Sequence, residues 1–280
     1  MEKAIKRYFP IFVLPTMIAF TLGFIIPFVE GVYLSFCKFT TVNDAKFIGF
    51  ANYAKVFADE TFVHAFWYTA AFTVVSVILI NVLAFAVALL LTKGFKGTNI
   101  FRTVFFMPNL IGGIVLGYIW QLLLNGILMK FSRTLTYSST YGFWGLIILM
   151  CWQQIGYMMI IYIAGIQNIP GELIEAAEID GATKWQILKK VTIPMVMPSI
   201  TVCTFLSITN GFKLFDQNLA LTNGEPSKMS EMLALNIFNT FYGRTGYEGV
   251  GQAKAVIFFI LVTVIALTQN YLTRRKEVQQ

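Results

Sequence analysis

The chain has 280 residues, of which 57% are hydrophobic, 16% aromatic and only 12% charged. Soluble domains carry charge on about a quarter of their residues, so this composition excludes an ordinary water-soluble globule and points to a membrane protein. The net charge of +7 comes without a basic surface interleaved with aromatics, so it reads as a topology bias and argues against nucleic-acid binding.

Six apolar runs, roughly 10–36, 66–91, 104–124, 143–166, 196–215 and 253–272, are separated by clusters of charge. Each is long enough to cross a ~30 Å hydrocarbon core at about 1.5 Å per residue. Backbone polar groups in hydrocarbon must pair internally, which predicts an all-α integral membrane protein with six transmembrane helices in a single domain, 1–280. The first run follows Lys3, Lys6 and Arg7. It is longer than a signal-peptide core of about 7–15 residues and no A-x-A-like site follows it, so a retained anchor is expected. The 37–65 connection is polar and aromatic, with turns marked by Asn43-Asp44 and by Gly49-Phe-Ala-Asn-Tyr53. The sole histidine, His64, is expected at the outer interface and leaves little basis for a histidine metal site or triad. Cys37, Cys151 and Cys203 are scattered and read as small buried hydrophobes.

The 92–100 connection is short and basic, and Phe101-Arg-Thr-Val-Phe-Phe-Met-Pro108 opens the third run. Gly113 and Gly117 lie on one helix face there, where they permit close helix approach; with Pro108 they also permit a bend beside a translocation path. The fourth run carries Cys151-Trp152-Gln153-Gln154-Ile155-Gly156-Tyr157. Two adjacent glutamines facing lipid are costly, so at least one is expected to face the bundle interior, either hydrogen-bonded to a neighbouring helix or lining a wet cavity.

A polar island, Glu175-Ala-Ala-Glu-Ile-Asp-Gly-Ala-Thr-Lys-Trp-Gln-Ile-Leu-Lys-Lys-Val-Thr-Ile-Pro194, follows within the 167–194 connection. Pro170 and Gly181 predict a short helix between them, with Glu172 and Glu175 near its positive end. A second helix is expected from Thr183 to Val191, ending at Pro194. An acid-rich first half argues against a helix lying on anionic lipid. Run five closes on Lys213 and Asp216, three residues apart, read either as a structural pair or as a gating or substrate feature. The long 217–252 connection contains Leu221-Thr-Asn-Gly-Glu-Pro226 and a short helix expected over Glu231 to Tyr242 at the surface. Arg274-Arg-Lys276 reads as a closing anchor.

Segments 1–10, 92–103, 167–194 and 273–280 hold twelve of the 21 basic residues, whereas the longer opposite segments 37–65, 125–142 and 216–252 hold seven. The denser side is predicted cytoplasmic, with both termini and 167–194 inside. Lys130 and Arg133 run against that bias.

The E-A-A, D-G-A, Trp185 and I-P pattern of the polar island resembles the EAA loop of ATP-binding-cassette importer permeases. Phe101 to Pro108 resembles the family's FRT-x-x-F-x-P segment, Gly211-Phe-Lys-Leu-Phe-Asp216 its F-x-x-F-D segment, and Leu221 to Pro226 its L-T-x-G-x-P turn. Together with Gly49 to Tyr53, these matches span most of the chain in the order of the carbohydrate-uptake branch. The resemblance implies a type I importer fold whose coupling helix, carrying Glu172, Glu175, Ala176, Ala177, Asp180, Gly181, Ala182 and Trp185, docks in an ATPase cleft. It implies a substrate path through Asn109, Gly113, Trp152, Gln153, Gln154, Tyr157, Asn210, Gly211 and Leu214. Of these, Trp152 and Tyr157 match the family's maltose permease by identity, while the glutamines and the residues near run five do not. The implied partners are a second permease subunit, two ATPase subunits, an extracytoplasmic solute-binding protein, a sugar and membrane lipid. No G-x-x-x-x-G-K-[ST] loop occurs, so no cofactor is expected on this chain; ATP and Mg would sit on the partner subunits. An ion-coupled transporter would want buried coupling carboxylates, and an intramembrane enzyme a catalytic motif; neither pattern is present. A glycerol-phosphate importer of the same family is the remaining alternative.

Overall fold

The computed structural model describes residues 2–94 and 96–274. Arg275 and Lys276 of the basic tail lie outside them, as do the side chains of Lys3, Lys6, Arg7 and Arg274. The contacts group into two compact units, Met1–Glu60 with Ile237–Ile260, and Thr61–Asn236 with Leu261–Gln280.

In the first unit, helices Glu2–Phe20 and Ile26–Leu34 are joined by a π-turn. Phe20, Phe24 and Phe28 stack at i,i+4 spacing with ring centroids 5.1 and 6.0 Å apart, and Phe28 meets Phe259 edge-on at 4.9 Å. The two-residue strands Cys37–Lys38 and Lys46–Phe47 pair antiparallel. Their turn is closed by Asp44, which accepts from the Thr41 and Thr40 backbone N–H groups at 2.9 and 3.0 Å; those donors hold its carboxyl below the usual range. Asn52 is buried and donates to the carbonyls of Ser35 and Cys37 at 2.9 and 2.8 Å. The Gly49 to Tyr53 motif is therefore a clasp on the loop that follows the first apolar run.

Lys254 was read as part of the sixth apolar run, yet its ammonium is fully buried. It donates to Asp59 at 2.7 Å and to Thr240 at 2.8 Å. Removing one member of a buried pair costs about 3–5 kcal/mol, because the other is left uncompensated. Asp59 retains 19% exposure, so Lys254→Met is expected near the low end of that range. Lowered thermal melting of Lys254→Met in detergent, with recovery in Lys254→Met/Asp59→Asn, is the check.

In the second unit, helix Ser139–Gln167 is central: 61% of its most apolar window is buried, against 28% for Glu60–Leu91 and 11% for Gly113–Phe131. Arg133, just before it, donates to the Tyr141 hydroxyl and lies 5.2 Å from the Tyr137 ring, so aromatics rather than an acid hold this outlying cation. His64 is exposed, with its Nε2 3.0 Å from the Met229 carbonyl.

Two apolar runs differ from their expected form. The run 104–124 is broken: helix Thr98–Phe106 gives way to a 3-10 turn Met107–Leu110 and to extended Ile111 and Gly112, and helix Gly113–Leu128 starts anew. Pro108 lacks the N–H that would continue the helix, and an averaged hydropathy is blind to that interruption. The expected stop at Pro194 falls instead at Val196, because Pro194 sits inside Ile193–Met195. Lys184–Met195 and Met197–Phe212 are bent by 68° at that point. Among the described residues, five helices are long and apolar enough to cross a membrane, or six with the bent pair counted as one span.

The helix expected at the surface over Glu231 to Tyr242 is Leu233–Gly243; Glu231 just before it and its leading residues Leu233, Leu235 and Asn236 are buried. The turn before it is built on Asn218, which donates to Thr222 Oγ1 and the Ser230 carbonyl and accepts from Met232 N–H. Asn223 and Gly224 adopt positive φ there. The L-T-x-G-x-P motif thus reads as a turn built around a buried amide.

Candidate functional site

Helix Gly171–Ile179 begins after Pro170, whose fixed φ suits a helix start, and carries Glu172 in its first turn. It ends in a Schellman closure: Ala182 N–H reaches the Ala177 carbonyl at 2.9 Å and Gly181 N–H the Glu178 carbonyl at 3.0 Å. Gly181 takes φ +76 there. Thr183 then opens the next helix with a capping box, its N–H bonded to Gln186 Oε1 at 2.7 Å while its Oγ1 accepts from Gln186 N–H at 3.4 Å. The chain is locked on both sides of Gly181.

That lock displays a specific surface. Glu172, Glu175, Ala176, Glu178 and Asp180 are exposed, and Ala177 and Ala182 half-buried. Ile179 and Trp185 are 86% and 69% exposed. Two large apolar side chains this open, beside four acids and small alanines, make a face suited to a cleft with a basic wall.

The second candidate is a cavity of about 260 Å³ lined by Gln154, Asn210, Lys213, Leu214, Asp216 and Gln217, among others. Asn210 donates to Gln154 Oε1 at a long 3.4 Å, so both amides keep hydrogen-bonding capacity for a ligand. Gln153 is differently engaged. Its amide donates to the Ile111 carbonyl at 3.3 Å and accepts from Gln217 at 2.8 Å, fastening the broken segment beside Gly112.

The other expected path residues are placed elsewhere. Asn109 is half-buried in the 3-10 turn. Trp152 is 44% exposed with its ring edge-on to Trp120 at 5.6 Å, and Tyr157 is half-buried against the core. None of the three lines the cavity. Gly113 and Gly117 let helix Gly113–Leu128 approach Asp216–Leu221: a Cβ at 113 would lie 2.7 Å from Asp216 Cβ, and one at 117 would lie 2.6 Å from Ala220 Cβ. Gly211 is similarly close to Thr73. No ion pair joins Lys213 and Asp216 among the described residues. The helix ends at Phe212 and a new one starts at Asp216, so their three-residue spacing does not place them on one helical face. Gln217 was not singled out in the sequence, where a lone amide after an acid carries no signal.

Membrane-length helices and an exposed acidic helix closed at Gly181 fit the membrane-embedded part of a transporter. Residues 80–278 match the family model of the binding-protein-dependent transport system inner membrane component, and the chain belongs to that family. It is 41% identical over 278 residues to the "Probable starch degradation products transport system permease protein AmyD" of Thermoanaerobacterium thermosulfurigenes, covering 96% of this chain and 94% of that one. It is 28% identical to the trehalose/maltose transport system permease protein MalF of Thermococcus litoralis, over 89% of this chain and 88% of that one. Its fold is that of a subunit in the crystal structure of a bacterial ABC transporter involved in the import of the acidic polysaccharide alginate. The TM-score is 0.82 at 23% identity, with 98% of each chain covered.

Proposed function

We propose that this chain is a permease subunit of an ATP-driven, binding-protein-dependent importer that moves a sugar or oligosaccharide across the cytoplasmic membrane by alternating access. The observation that carries the energy-coupling part is the Gly181-closed helix with its exposed acids, Ile179 and Trp185. The substrate class rests on the sugars for which AmyD and MalF are named, the former similar over nearly the whole chain. Both termini and 167–194 are assigned to the cytoplasmic side. A second permease subunit, two ATPases holding ATP and Mg, and an external solute-binding protein complete the machine. Closure of the ATPases moves the coupling helix, and the bend at Val196 passes that motion into Met197–Phe212. Impermeant labelling of a single cysteine at position 184 from outside intact cells would reverse the topology; labelling only after permeabilisation is expected.

The substrate path is assigned to the Gln154–Asn210 cavity, with Lys213, Asp216 and Gln217 on its wall; Trp152, which does not line it, offers a separate exposed stacking face beside Trp120. Amides that donate and accept suit sugar hydroxyls. Asn210→Leu is expected to lower uptake about tenfold, the cost of about one hydrogen bond in the transport-limiting complex. Assembly and the binding protein's own affinity should be unchanged. Wild-type uptake by both Asn210→Leu and Trp152→Ala would move the sugar contacts to the partner permease.

A further inference from the structure

The FRT motif has a consequence outside coupling and substrate binding. Arg102 projects from helix Thr98–Phe106, and its Nε is buried without a hydrogen-bond partner among the described residues. Two cavities, of about 340 and 420 Å³, are both lined by Arg102 and Gln167. They differ in chemistry. The larger is walled by polar groups, among them Thr92, Thr98 and Asn99, and the smaller by Phe106, Ile160, Ile163 and Ala164. No acidic residue lines either one. Gly97 opens the helix at φ +92 and supplies no side-chain cap, so the positive end of the helix adds to the Arg102 charge.

Arg102 is half-buried, but a buried Nε–H without an acceptor, on a cation with no acid beside it, is costly unless an anion meets it. A polar cavity and an apolar one that share Arg102 and Gln167 as walls match the two ends of an amphiphile. We propose that an anionic phospholipid of the surrounding bilayer occupies the pair, its phosphate against Arg102 and an acyl chain along Phe106, Ile160 and Ile163. Gln167 ends the central helix four residues before the coupling helix begins at Gly171. The lipid would therefore brace the root of that helix. Its placement in the cytoplasmic leaflet rests on the proposed topology; the pocket itself does not.

The test uses the assembled importer in detergent, probed with dioleoylphosphatidylglycerol, dioleoylphosphatidylcholine and inorganic phosphate, read by native mass spectrometry and thermal melting. Phosphatidylglycerol should be retained and should raise the melting temperature, with phosphatidylcholine doing neither. Arg102→Gln should weaken retention about tenfold, the loss of a charge-assisted hydrogen bond, whereas Arg102→Lys should keep most of it. Ala164→Phe, which fills the apolar arm and leaves the charge intact, should also weaken it, so the test survives misfolding of one variant. Equal retention of the two lipids would overturn the proposal. So would undiminished phosphatidylglycerol binding in both Arg102→Gln and Ala164→Phe, or full reproduction of the shift by inorganic phosphate. None of these readouts depends on transport, so failure here leaves the importer assignment standing.

Discussion

Gly181→Val is expected to abolish coupled uptake while leaving the protein inserted and assembled. Gly181 holds φ +76 in the Schellman closure of Gly171–Ile179. A β-branched residue in that left-handed conformation costs more than the ~1 kcal/mol already charged to ordinary side chains. Open space surrounds the position, since a Cβ there would meet nothing within 4 Å. The damage is therefore conformational and local: the turn re-forms with another φ, and the exposed Glu175, Ile179 and Trp185 swing out of register with one another. ATP hydrolysis by the assembled complex should persist at its basal rate and lose stimulation by loaded binding protein. Normal transport by Gly181→Val would remove the docking role of this helix.

A large stability effect is expected at Gly156. A Cβ there would overlap the backbone carbonyl of Phe105 and crowd the Phe106 nitrogen, so relief needs movement of a helix and not of a flexible side chain. Overpacking of this kind costs about 1–3 kcal/mol or more, and Gly156→Ala is expected to cut the yield of folded protein severely. Gly126→Ala is the control, because nothing lies within 4 Å of a Cβ at that helical position; it should express and melt like the parent. Equal yields of the two variants would mean that Thr98–Phe106 does not rest on the central helix as described.

The coupling helix was legible because its signals are local. Pro170, Gly181 and Thr183 act through backbone geometry that neighbouring residues determine, and the structure places each in the turn its chemistry suggests. Lys254 was not legible, because its partners Asp59 and Thr240 are distant in sequence and a lone cation at the start of an apolar run leaves its hydropathy high. The break at Pro108–Gly112 was half legible: the residues that permit it were visible, but the Gln153 bond to the Ile111 carbonyl that fastens it is a tertiary contact. The same holds for the two glutamines. Sequence required at least one to face inward, and only packing separates Gln153, joined to Ile111 and Gln217, from Gln154, which faces the cavity with Asn210. Lys213 and Asp216 show the converse, since i,i+3 reasoning presumes a continuous helix, whereas one helix ends at Phe212 and the next starts at Asp216.

Uptake of the labelled sugar or oligosaccharide carried by the binding protein, into proteoliposomes containing the complete complex, tests the central claim most directly. The complex would be supplied with loaded binding protein on one face and ATP on the face of the Gly171–Ile179 helix. Accumulation should require ATP and survive dissipation of proton and sodium gradients. It should vanish in Gly181→Val. Accumulation that continues without ATP and follows an imposed ion gradient would contradict the assignment.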